Sequence, residues 1–169
     1  AEKHHQFRRT PEELGLANLN EKFQSDGVPA VERSARMLKA LLEAECPIII
    51  EGERIVATRT ITYIPSIFTD AEWAEIRSKH TLHERGTVSN LSPDYEGIIA
   101  DGLEKRKAEV VARLEDATLT EEQKLFLEAA RDSIEAVQAF ILKYKECAEK
   151  AGLTDVAEVL GAIHTEGAK

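Results

Sequence analysis

The chain's 169 residues and 18.8 kDa suffice for one ordinary domain, because a chain of this size buries roughly 70% of its unfolded surface. A composition of 43% hydrophobic and 31% charged residues, with 9 Gly and 5 Pro, excludes collagen-like, low-complexity and broadly disordered classes. With 22 Lys plus Arg against 31 Asp plus Glu, the net charge is -9 and the pI about 5.1, the wrong sign for a phosphate-binding surface, so no nucleic-acid partner is expected.

In chain order, residues 1–27 are polar, with Thr10-Pro11-Glu12-Glu13 reading as a helix start and Ser25-Asp26-Gly27 as a turn. Without a sustained apolar period, this irregular N-terminal segment should hold short helices and loops, and residues 28–169 a helical region. From Pro29, apolar Val31, Ala35, Leu38, Leu41 and Leu42 fall three and four apart and predict a helix that stops before Cys46-Pro47. Ile48-Ile49-Ile50, the turn Glu51-Gly52-Glu53-Arg54 and the β-branched run to Ile64 predict one short β-hairpin or extended segment near residues 48–64. The fold class expected is therefore mainly α, amphipathic helices with that one excursion.

Thr69-Asp70-Ala71-Glu72 has capping-box spacing and predicts a short helix that turns Trp73 and Ile76 inward. Ser92-Pro93-Asp94 predicts the start of a long helix, with Ser92 as cap and Pro93 in the first turn. Ile98, Ile99, Leu103, Val110, Val111 and Leu114 form its apolar face, Gly97 and Gly102 weaken it, and Glu104-Lys105-Arg106-Lys107 reads as a solvated face. A second capping box, Thr120-Glu121-Glu122-Gln123, opens the strongest helical period of the chain, from Leu127 to Ala148, closed by Gly152 in the left-handed conformation. A last helix starts at Thr154-Asp155.

No residue pattern assigns a catalytic, cofactor-binding or metal site. Three residues stand out as candidates. Arg59 lies in an apolar, strand-like run where a guanidinium must find a carboxylate, a carbonyl or an anion, or else lie along the surface to solvent. His80 and His83, three apart and followed by Glu84, could share a helix face as metal ligands, or sit at a helix end where imidazole suits the negative dipole. The HExxH, GxSxG, GxxxxGK[ST] and GxGxxG patterns are absent. Cys46 and Cys147 show no CxxC or Cys/His grouping, which suits a reducing cytoplasm. The longest apolar stretch is far below the roughly 18 residues of a membrane span, so no membrane partner is expected.

Several strings between Pro29 and Lys169 resemble the N-terminal region of the pyruvate formate-lyase-like glycyl radical enzymes, the family of formate acetyltransferases and related anaerobic lyases and dehydratases. They are Arg33-Ser34-Ala35 with Leu41-Leu42 in an entry helix, then Pro47-Ile48-Ile49-Ile50-Glu51-Gly52-Glu53-Arg54-Ile55-Val56, similar to the family's segment ending E-x-I-V-G. Thr58-Arg59-Thr60 follows, and Ser92-Pro93-Asp94-Tyr95-Glu96 with Gly102-Leu103 resembles the family's P-D-Y-E-K-x-x-x-x-G helix. Gly167-Ala168-Lys169 is similar to the lead into its G-A-x-T-F-x-E-A-L-Q segment, whereas Ala57 stands where many members have Gly.

The resemblance implies an N-terminal scaffold piece of a longer enzyme. The family's radical glycine loop and catalytic cysteine motif do not occur here, and Cys46 and Cys147 do not match the catalytic position. It also implies a protein glycyl radical, installed by a separate activating enzyme, as the parent's cofactor. The partner would be the remainder of the enzyme or a second copy of the chain. On composition and periodicity alone, an autonomous acidic helical interaction module is an equal alternative.

Overall fold

The computed structural model describes residues 7–53, 56, 59–79 and 94–167. Six helices lie among them: α1 (Leu19–Ser25), α2 (Ala30–Ala44), α3 (Asp70–Ser78), α4 (Tyr95–Leu114), α5 (Glu121–Lys150) and α6 (Thr154–Ile163). The chain is mainly α, as its periodicity implies. The excursion after α2 contains a turn at Glu51-Gly52, but its described residues form no hairpin. Its pairing among them is a single parallel bridge, Arg9 with Ile61, in which Arg9 N–H donates to Thr60 O and Thr62 N–H to Arg9 O, each at 3.0 Å.

α2 joins the two core clusters because its apolar residues face two ways. Leu42 joins Ala136, Phe140, Tyr144 and Ala148 of α5 and Val156, Ala157 and Leu160 of α6 in one core cluster. Met37 and Leu41 join Leu16, Phe23, Val28 and Ile61 in the second. The helix ends where the sequence requires: Glu45 is already extended (φ -61, ψ 128), and Cys46, which precedes Pro47, is disfavoured from helical conformation.

Both capping boxes form. Thr69 and Thr120 accept from the N–H groups of Glu72 and Gln123, whose side chains accept in return from the cap N–H groups. Thr120→Ala is expected to cost about 1 kcal/mol, read as a lower urea midpoint at unchanged slope. An unchanged midpoint would contradict the capping role. Gly152, at φ 73, ends α5 as its position implies.

Four expectations need correction. The cap of α4 is Asp94, whose carboxylate accepts from Gly97 N–H at 2.9 Å, while Ser92 and Pro93 lie outside the described residues. Ile98, Ile99 and Val111 are exposed, and Gly102 is the one buried residue of α4. Gly102 breaks the helix, so the apolar positions ahead of it do not continue the face of those behind it. Lys107 also leaves the supposed solvated run: it pairs with Glu104 at 2.8 Å and reaches Gln138 of α5 at 3.2 Å. In α3, Trp73 and Ile76 are only half-buried.

Candidate functional site

The densest polar constellation gathers on Glu45, at the end of α2, whose side chain is fully buried. A carboxylate enters such a place only if its oxygens are satisfied. Oε2 accepts from Arg59 Nε at 2.7 Å. Oε1 accepts from the Thr60 hydroxyl at 2.5 Å, from Thr60 N–H, and from Ile61 N–H at 3.3 Å. Burial is the largest single influence and pushes the Glu45 carboxyl up, but the Thr60 hydroxyl, Thr60 N–H and Arg59 together outweigh it and hold the group below the usual carboxylate range. Glu45 is therefore ionised at neutral pH, and its oxygens are committed to those donors. It is a clasp rather than a general base.

Two residues of α5 complete the surroundings. Lys143 Nζ donates to the carbonyls of Leu42, Glu43 and Glu45 at 3.1, 2.8 and 2.7 Å, offsetting the negative C-terminal end of α2. Tyr144, with no exposed surface, packs edge-on against Phe140 at 5.1 Å. Burial, followed by the nearby Glu45 charge, pushes its phenol up to about 12, against the opposing pull of a hydrogen bond with the Ile48 backbone.

Two further clusters tie elements together. Buried Arg33 of α2 donates from Nε to Val28 O at 2.6 Å and from Nη1 to both oxygens of Glu72 at 2.8 and 2.9 Å, with its guanidinium 5.8 Å from the Phe68 ring. Buried Gln138 of α5 donates to His164 O at 2.8 Å and Glu104 Oε2 at 2.9 Å.

Of the residues singled out in the sequence, Arg59 does find a carboxylate. Its acid is the most buried one described, with the guanidinium side chain 40% exposed, so it spans from core to surface. His80 and His83 lie outside the described residues. Among the described residues, no group of three or more His, Cys, Asp or Glu is placed to hold a metal. Cys46 is exposed, and the half-buried Cys147 directs its thiol at Pro47 O, 3.7 Å away. A cleft of about 360 Å³ between α2 and α5, bordered by Lys39, Glu43, Asp132 and Lys143, brings charges of both signs over Leu42 and Phe140 but no nucleophile with a base. None of the described helices is long and apolar enough to cross a membrane.

Glu45, Lys143 and Gln138 were not legible as site residues. A weak signal existed for the first, an acid at the end of an apolar helix face just before Cys-Pro. No family model, curated protein or solved structure matches the chain.

Proposed function

We propose that this chain is the N-terminal scaffold portion of a pyruvate formate-lyase-like glycyl radical enzyme, without catalytic competence of its own. The observation that carries the proposal is the position of Gly102 and Gly167. They belong to two separate family-like strings, and they meet at a backbone contact too close for a side chain on either. A Cβ on Gly102 would lie 2.5 Å from Gly167 N and 2.7 Å from Thr165 O. Glycines spent on such a contact are scaffold residues, the role the resemblance gives those strings. Arg33 and Arg59-Thr60, from two further strings, likewise commit their polar groups to internal partners.

A second observation favours a further layer outside this chain. Adjacent apolar triplets in α5 cannot all face one way, since three consecutive helical positions span about 200°. Of Leu125, Phe126, Leu127, Phe140, Ile141 and Leu142, Phe140 is buried, Phe126 is 59% exposed and Leu142 37%. In the parent enzyme the rest of the subunit would cover them, and in the isolated chain a second copy could.

Hydrogen abstraction in the family needs both a radical glycine and a cysteine, and this chain has neither motif. Anaerobic incubation with a family activating enzyme is expected to give no glycyl radical signal on this polypeptide by paramagnetic resonance. A carbon-radical doublet assigned to one of its nine glycines would overturn the claim.

A further inference from the structure

α4 is two helical pieces joined at Gly102, whose φ of 77 and ψ of 173 are open essentially to glycine alone. In an unbroken helix the N–H of Glu104 would donate to Ala100 O. Here it donates instead to Thr165 O at 3.2 Å, from the segment that follows α6. That segment also fills the other side of the break. Gly167 lies so close to the carbonyls of Ile99 and Ala100 that a Cβ on it would meet both oxygens and come within 2.6 Å of the Ala100 carbonyl carbon. Gln138 fixes the same segment to α5, donating to His164 O while its second hydrogen bond goes to Glu104 across the break. Residues 164–167 thus supply the acceptor that Glu104 N–H loses at the break and pack against the carbonyls ahead of it.

The part of α4 ahead of the break is an outlying arm. Its Tyr95, Ile98 and Ile99, three and four apart, are 66, 44 and 55% exposed. Arg106 steadies it from beyond Gly102 with surface ion pairs to Asp94 at 3.1 Å and Asp101 at 3.5 Å, which are weak ties. Glycine at 102 can also adopt helical angles, at modest cost. Glycine thus leaves a straight arrangement open to the backbone, and the contacts of residues 164–167 are made with the broken one.

We propose that residues 164–167 are a strap that holds α4 in its broken form, and that releasing the strap lets residues 95–114 close into one straight helix, redirecting the apolar arm. The device depends only on this chain's own geometry and stands or falls separately from the scaffold proposal.

The test is a spin-label distance in the full chain carrying Cys46→Ser and Cys147→Ala, with nitroxides at Glu96→Cys and Ala108→Cys, both exposed positions on opposite sides of Gly102. In a straight helix these positions are separated by about 18 Å of axial rise. Gly102→Ala, which disfavours the broken conformation, and Gly167→Val, which expels the strap, should both move the distribution from that of the parent to the straight-helix value while thermal unfolding stays cooperative. A chain stopped after His164 introduces no clash and should do the same. If that shortened chain keeps the parent distance, the break belongs to α4 itself and the proposal is wrong. If it fails to fold, the segment is core rather than strap, and the proposal is equally wrong.

Discussion

Glu45→Ala is expected to lower stability by about 3–5 kcal/mol, a large share of what a domain of this size has. The substitution leaves the Thr60 hydroxyl and the N–H groups of Thr60 and Ile61 buried without an acceptor. Arg59 adds less, because its partly exposed guanidinium can return to water. Urea unfolding measures the effect, and a loss below about 1 kcal/mol would show that the clasp is not structural. Glu45→Gln keeps one acceptor oxygen but turns an amide toward Arg59, so it should fall between. The sign of the pH effect follows from the lowered carboxyl. The folded state binds the proton less readily than the unfolded one, so stability from Glu45 is present at neutral pH and is lost as pH falls through and below the usual carboxylate range. Glu45→Gln should flatten that part of the acid limb.

Tyr144→Ala is expected to cost about 3–5 kcal/mol, since the ring is wholly buried between the end of α2 and the α5–α6 contact and leaves a cavity that rigid helices cannot close. Tyr144→Phe keeps the packing and isolates the hydroxyl. Because the folded phenol is held at about 12, against about 10 when unfolded, the unfolded chain releases its proton first as pH rises. Stability should therefore drop by about 1.4 kcal/mol per pH unit between these values, and the Phe variant should lack that slope. Identical alkaline limbs in the two proteins would place the hydroxyl in water.

What the sequence made legible was local. Thr69 and Thr120 announce their helices because a capping box involves only four adjacent residues, and Gly152 announces the end of α5 for the same reason. The face of α4 was misread because its apolar spacing runs on through Gly102, and spacing carries no information about a break that packs against residues 165–167. Arg59 stood out as a charge in an apolar run, yet its partner precedes it by an intervening turn, and Lys143 reaches the same place from α5. Such partners are chosen by packing, not by spacing. The apolar period of α5 marked Tyr144 as core but gave no hint that Glu45 would be buried beside it.

The scaffold proposal is tested most directly by sequencing the coding DNA beyond the Lys169 codon. The expected result is an open frame that continues through an EALQ-like segment and carries, further on, an active-site cysteine motif and a radical glycine loop, in the same gene or in an adjoining one. A stop codon at that point with no adjoining frame bearing those motifs would contradict it and leave an independent helical module.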